Sequence, residues 1–313
     1  MKNDLAQKKL VLLTGFLGSG KTTFLTRLLS AFDGVKIGVL MNEFGEKSID
    51  GTLIRGTDFD LMELTNGSIF CACLKENFIK GLAEFLERDV EYVFVESSGV
   101  ADPSNMGSVL ETVEKLTDKT YDYLGAVCII DGFYFLKQYE VIPALHRQIE
   151  YSNAVIINKI DLQSPENSAE IEDRIKKINA DTLIYKTAFC QVPIKEILHT
   201  MNYSHKTPKE TTNTWESRPK TNILTTETII DKIRFERFLN TIKGDTYRIK
   251  GFVRTDTGDF AVSGVNETIE MEPWTPAPKK TEIVIISSVG IKIISTVLNA
   301  WKCFFNEIPM IFE

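Results

Sequence analysis

The sequence predicts a two-part chain of the α/β class. A mainly parallel sheet covered by helices occupies residues 1–205, and a smaller α+β unit, ferredoxin-like in its make-up, occupies 221–313. Three observations predict this. Short continuous apolar runs alternate with amphipathic helical stretches through the first two-thirds of the chain, as in a parallel sheet buried on both faces. His199 to Lys220 is then polar, with Pro208, Pro219 and many Thr, Asn and Lys, so 206–220 reads as a linker. Beyond it, several strands follow one another with few helices between. The 313 residues suffice for two hydrophobic cores.

The first apolar run, Lys9 to Thr14, predicts a strand, and Thr22 to Ala31 has Phe24, Leu25, Leu28 and Leu29 at helical spacing. Val35 to Met41 predicts the second strand. Phe78, Leu82, Phe85 and Leu86 mark a helix, with the strand Tyr92 to Val95 after it. Ala126 to Ile130 and Ala154 to Ile157 are two more buried strands, separated by one helical stretch over Phe135 to Ile149. Ser164 and Pro165 open another helix, because Ser caps and Pro suits the first helical position. In the second unit Ile223 to Ile229 reads as a strand. Phe235, Phe238, Leu239 and Ile242 share one helix face, with Gly244 where a C-terminal cap belongs. Tyr247 to Arg254, Phe260 to Val265, Thr268 to Glu272 and Ile283 to Ile286 read as strands, and Asp256-Thr257-Gly258 as a turn. Ile291, Ile294, Leu298 and Trp301 mark a last helix.

Composition narrows the function. Thirty-six basic against 43 acidic residues leave a net charge of −7, which speaks against a nucleic-acid partner. Five cysteines are too few for a disulfide scaffold. The start of the chain lacks the apolar core of a secretion signal. The most membrane-like stretch, Ile283 to Trp301, carries Lys292 near its centre, and such a Lys costs about 3 kcal/mol in a bilayer. No membrane association and a reducing cytoplasm are therefore expected.

Gly15-Phe16-Leu17-Gly18-Ser19-Gly20-Lys21-Thr22, followed by Thr23, matches G-x-x-x-x-G-K-[ST] between a strand and a helix. This makes the first unit a P-loop NTPase domain. Gly15, Gly18 and Gly20 let the backbone N–H groups curl toward phosphate oxygens, and the helix adds its positive end. Lys21 reaches the β and γ phosphates, and the Thr22 hydroxyl ligates Mg²⁺. Asn158-Lys159-Ile160-Asp161 follows a buried strand. A carboxylate at Asp161 accepts two hydrogen bonds from guanine, a donor pair that adenine lacks, so GTP and GDP are the expected ligands. Asn158 braces that loop and the Lys159 stem covers the base. Glu96-Ser97-Ser98-Gly99 closes another strand. Glu96 suits the Mg²⁺ shell and Gly99 offers an N–H to the γ-phosphate, which makes Val100 to Ser104 a switch. Asn42-Glu43-Phe44-Gly45-Glu46 holds the equivalent place after the second strand. Turns built from Ser, Gly and acids without any ligand are the plainer reading of both loops.

These segments together resemble the CobW-type P-loop GTPases, whose members include metallochaperones and cofactor-insertion factors. The resemblance rests on LLTGFLGSGKTTFL, NEFGE, ESSGVADP and NKID, and more loosely on RIKGFV at Arg248 to Val253. It implies GTP hydrolysis with Lys21, Glu96 and Gly99 at the reacting phosphate, a metal such as Zn²⁺, and a client protein that is itself a metalloenzyme. It leaves a homodimer open. Members of the family usually carry C-x-C-C just after an Asn-Gly pair. Here Ser68 and Phe70 stand where the first two cysteines belong, Cys71 takes the third, and Cys73 is additional. Two thiolates do not complete a tetrahedral site, so Glu43 or Glu46, water or a second chain would have to finish it. The alternative is two buried thiols that serve as small hydrophobes. The three histidines are far apart in sequence and form no metal store. Cys128 is expected in the core, and Cys190 and Cys303 in packing roles.

Two function classes follow. One is a GTPase metallochaperone or metal-cofactor insertion factor whose nucleotide state is coupled to the cysteine site. The other is a GTP-driven partner switch, or enzyme activator, without a metal of its own. No Arg stands where it would act as a catalytic finger and no residue is identified that positions the water, so slow intrinsic turnover is expected.

Overall fold

The computed structural model describes residues 7–43, 59–65, 75–140, 142–201, 219–265 and 268–313. Contacts between Cα atoms divide the chain into Met1–Ser217 and Arg218–Glu313.

The first unit is built on seven parallel strands: β1 Lys9–Thr14, β2 Ile37–Glu43, β3 Phe59–Thr65, β4 Tyr92–Glu96, β5 Asp122–Asp131, β6 Ala154–Asn158 and β7 Leu183–Lys186. Their spatial order is β3-β2-β4-β1-β5-β6-β7. β1 lies at the centre, in register with β4 (Leu13 opposite Glu96) and β5 (Thr14 opposite Cys128). Its continuous apolar run has the predicted cause. Val11 and Leu13 face one core with Phe24, Leu25 and Leu28 of the helix Lys21–Ala31. Leu10 and Leu12 face another with Phe78, Leu82 and Phe85 of the helix Lys75–Glu87. A strand clad on both faces has no polar side to alternate with.

Some elements differ from the sequence-based expectation. Phe135 to Ile149 is two helices, Phe135–Tyr139 and Pro143–Glu150, because Pro143 cannot continue the first but suits the start of the second. Strands β3 and β7 and the helices Met106–Thr117 and Ile194–Thr200 were not predicted. The Ser164 cap forms as expected, its hydroxyl accepting from the Asn167 N–H at 3.2 Å. The apolar stretch Ile283 to Trp301 is, as predicted, a strand followed after a turn by the helix Lys292–Phe305. Among the described residues no helix is long and apolar enough to cross a membrane.

The second unit is an antiparallel sheet of β8 Thr221–Thr226, β9 Thr246–Thr255, β10 Gly258–Val265, β11 Thr268–Pro273, β12 Thr281–Ser287 and β13 Ile311–Phe312. The spatial order is β11-β10-β9-β12-β8-β13. Strands β13-β8-β12-β9, with the helices Lys232–Ile242 and Lys292–Phe305, make two βαβ halves of a ferredoxin-like fold. The hairpin β10–β11 extends the sheet beyond β9. Phe235, Phe238, Trp301 and Phe305 pack the helices together and onto Leu224, Ile249 and Ile283 of the sheet. Gly244 is not a left-handed cap: the helix runs on into a 3₁₀ turn, Lys243–Asp245, and Lys243 has helical φ/ψ. The strand expected over Ile223 to Ile229 ends at Thr226.

Candidate functional site

At the carboxyl end of β1 the chain turns through Gly15, Gly18 and Gly20, with φ of +139°, +74° and +109°. Glycine is required there twice over. A Cβ on Gly15 would lie 2.0 Å from the Ile129 carbonyl oxygen, and one on Gly20 would lie 2.5 Å from Asn158 Nδ2. The loop feeds the helix Lys21–Ala31, whose Phe24 N–H donates to Gly20 O at 2.9 Å. Lys21 is buried, and its Nζ donates to the carbonyls of Gly15 at 2.9 Å and Phe16 at 3.3 Å, so the ammonium sits inside the curl of its own loop. The hydroxyls of Ser19 and Thr14 are buried without hydrogen-bond partners. Thr23 is exposed in the first helical turn.

Strand β4 brings Glu96 beside this loop, and Thr22 Oγ1 donates to Glu96 Oε1 at 3.3 Å. Both groups are hard oxygen donors of the kind Mg²⁺ takes, and they fit that ion. Ser97 holds the end of β4 to β1, with its N–H and hydroxyl on Leu13 O at 2.9 and 3.1 Å. Gly99 follows in a tight turn closed by the Ala101 N–H on Ser98 O at 3.0 Å. A Cβ on Gly99 would come within 2.7 Å of the Leu17 backbone nitrogen, so the two loops touch. Glu43 ends β2, two residues beyond the Met41–Glu96 pairing; its side chain, with Glu46, Cys71 and Cys73, lies outside what is described. Among the described residues no three His, Cys, Asp or Glu side chains group closely enough to hold a metal ion.

The predicted base loop follows β6. Asn158 is 3% exposed and makes two bonds across the site. Its Nδ2 donates to Ser19 O at 2.9 Å, and its Oδ1 accepts from the Cys190 N–H at 2.9 Å. Lys159 adopts left-handed φ/ψ, and its Nζ pairs with Asp131 Oδ2 at 2.7 Å. Asp161 is exposed in the turn Ile160–Leu162.

Sequence reasoning missed two parts of this arrangement. Asp131, at the end of β5, is buried, and its Oδ1 accepts from the N–H groups of Phe133 and Tyr134 at 3.0 and 3.3 Å. The loop Thr187 to Cys190 supplies a backbone wall. Thr187 O accepts from Ile160 N at 3.1 Å, and Arg27 Nε donates to Phe189 O at 2.5 Å. Phe189 and Cys190 both have positive φ, 52° and 55°. Nothing in their side-chain types signals this. Cys190 was expected only to pack, yet its N–H anchors Asn158, and burial pushes its thiol up to about 12. Cys128 is buried as expected, whereas Cys303 is exposed and packs no core: it lies on the outer side of the last helix.

Residues 9–186 match the family described as "CobW/HypB/UreG, nucleotide-binding domain", and residues 220–299 match "Cobalamin synthesis protein cobW C-terminal domain". The chain is 30% identical over 236 residues to "Zinc-regulated GTPase metalloprotein activator 1" of Dictyostelium discoideum, covering 63% of this chain and 49% of that protein. It is 28% identical over 204 residues to "Zinc chaperone YjiA" of Escherichia coli (strain K12), covering 61% of each. Over 128 residues it is 36% identical to "Zinc chaperone CobW" of a Sinorhizobium species, covering 38% of this chain and 35% of that one. The chain thus spans about half the length of the curated relatives it matches. With the nucleotide-binding match spanning more than half of its residues, the chain belongs to the CobW/HypB/UreG family.

Proposed function

We propose that this chain binds GTP, hydrolyses it slowly to GDP and phosphate, and acts in the cytoplasm as a switch that handles a thiophilic metal for a client protein. The observation that carries the reading is the Asn158 Nδ2–Ser19 O bond, which joins the phosphate-type loop to the base-type loop at one end of one sheet. Ligands of α/β sheets bind at that end. In this reading residues 1–205 form the GTPase domain, 206–220 the linker and 221–313 the accessory domain.

The reaction is in-line attack of water on the γ-phosphate. Lys21 and the N–H groups of Gly15 to Thr22 stabilise negative charge on the β and γ phosphates, and the Gly99 N–H meets the γ-phosphate. Thr22 and Glu96 would hold a Mg²⁺, which supplies further charge neutralisation. Asp161 selects guanine, Asn158 holds the base loop to the phosphate loop, and Lys159, steadied by Asp131, covers the ring.

The metal half of the proposal is supported by the names of the relatives, which are zinc chaperones and a zinc-regulated GTPase. Cys71 and Cys73, with Glu43 or Glu46, are the proposed ligands, and their thiolates favour Zn²⁺ over Mg²⁺. The competing reading, a partner switch without its own metal, is favoured by Ser68 and Phe70 at the places of two family cysteines.

Titration with GDP and ADP tests the base assignment. GDP is expected to bind about tenfold more tightly, since the exposed Asp161 carboxylate gains hydrogen bonds from guanine that adenine does not supply, and a bond to a charged group contributes about 1.5 kcal/mol or more. Asp161→Asn should shift the preference toward xanthine nucleotides. Equal wild-type affinities for ADP and GDP would exclude guanine as the ligand.

A further inference from the structure

Gln148 lies on the helix Pro143–Glu150, between Leu145 and Ile149 of the core, and is 0% exposed. A buried amide is unfavourable unless its hydrogen bonds are replaced. Gln148 spends its donors on one short stretch of chain: Nε2 donates to Gly99 O at 3.2 Å and to Ala101 O at 3.0 Å. Its Oε1 is buried without a partner, so these two bonds alone orient the amide. The same stretch closes the turn in which Ala101 N–H meets Ser98 O.

This geometry has a directional consequence. The peptide unit is planar and trans, so its C=O and N–H point in opposite directions. Ser98 O is held inside the turn, which turns the Gly99 N–H outward from it. Gly99 O is held by Gln148, which turns the Val100 N–H away from the helix. Gln148 thus fixes the Gly99–Val100 and Ala101–Asp102 peptides, which flank the Ala101 N–H that holds Ser98 O, so this one side chain, remote in sequence, acts on the Gly99 N–H through the turn. Gly99 itself sits against Leu17 of the phosphate loop.

We infer that Gln148 is a positioning residue for the γ-phosphate: it clamps the Gly99–Ala101 backbone so that the Gly99 N–H is aimed before nucleotide arrives. This rests on the GTP reading given above. Because a diphosphate has no γ-phosphate, the clamp acts on triphosphate binding and leaves diphosphate binding alone.

The test uses the full chain, with Gln148→Met to remove both donors at similar volume and Gln148→Glu as an isosteric variant that sets a carboxylate against the two carbonyls. Fluorescent GDP and a non-hydrolysable GTP analogue are titrated with Mg²⁺. The expected result is an affinity for GDP within about twofold of wild type and an analogue affinity lowered about tenfold, the scale of one lost buried hydrogen bond. Equal weakening of both nucleotides would mark Gln148 as merely structural and overturn the inference, as would no change in either. If Gln148→Met fails to fold, the same split is read from Gln148→Glu. Hydrogen exchange of the nucleotide-free variants separates the clamp from the nucleotide reading. Amides from Val100 to Asp102 should exchange about tenfold faster whatever the ligand proves to be, and unchanged exchange would refute the clamp itself. Wild type that binds neither guanine nucleotide would instead refute the proposed function.

Discussion

Asn158→Ala removes a side chain that holds two loops at once. In the native chain its Nδ2 satisfies Ser19 O and its Oδ1 satisfies the Cys190 N–H, both at 2.9 Å and both in a nearly dry setting. Alanine leaves a carbonyl and an N–H buried without their partners. Each such orphan costs about 1–3 kcal/mol, and relaxation of the Cys190 loop recovers part of the sum. A loss of about 3 kcal/mol for the first unit follows, which in a domain of this size is a drop of about 6–12 °C in midpoint temperature. Calorimetry or near-ultraviolet circular dichroism of the nucleotide-free protein reads it directly. Asn158→Asp keeps the acceptor for Cys190 but sets a carboxylate against the Ser19 carbonyl, so it should fall at least as far. A shift of under 1 kcal/mol for both variants would mean that the two loops hold their places without Asn158, and the staple argument would fail.

Other perturbations probe the remaining parts of the site. Lys21→Ala should abolish phosphate release from GTP, and Thr22→Ala should remove the Mg²⁺ dependence of triphosphate binding. Wild-type turnover in Lys21→Ala would put the reacting centre elsewhere. Burial raises the thiols of Cys128 and Cys190 from the ordinary 9.0 to about 12. The fold thus holds these protons more tightly than the unfolded chain does. Their contribution to stability is complete below about pH 9 and is lost as pH rises toward 12. At pH 8, iodoacetamide should modify exposed Cys303 and spare Cys128 and Cys190, as peptide mapping would show; native Cys190 reacting as fast as Cys303 would contradict its burial. Titration of the reduced protein with Co²⁺ should give a thiolate charge-transfer band that Cys71→Ser and Cys73→Ser each weaken, and a double variant that binds as well as wild type would leave the pair a packing role.

What could be read from the sequence shares one property: its signal is contiguous. Leu10 to Leu13 reads as a fully buried strand because both of its faces are clad, and the glycines, Lys21 and Thr22 read as a phosphate loop because the loop is built from neighbouring residues. The edge strands β3 and β7 were illegible for the opposite reason. Phe59, Leu61 and Met62 of β3 and Leu183 to Tyr185 of β7 are only partly covered, Asp60 interrupts the apolar run of the first, and Lys186 ends that of the second after three residues. Pro143 went unread as a break because amphipathic spacing on both sides of it masked the boundary between two short helices. The Thr187 to Cys190 wall acts through backbone groups in left-handed conformations that Phe and Cys do not advertise. Gln148 is a single polar residue on a core-facing helix, and only the three-dimensional path of the loop above it gives it meaning.

The added hairpin of the second unit has a consequence for how the protein behaves in a crowded cell. A four-stranded ferredoxin-like sheet would end at β9, a ten-residue strand with an alternating pattern and a full row of amide groups to offer. Here β10 and β11 take that edge, and the new outermost strand reads Thr-Ile-Glu-Met-Glu-Pro. Glu270 and Glu272 are exposed along it, and Pro273 has no N–H to donate. The opposite edge, β13, is two residues long, too short to template a partner. Neither end of the sheet invites a strand from another copy, so the hairpin guards against edge-to-edge polymerisation.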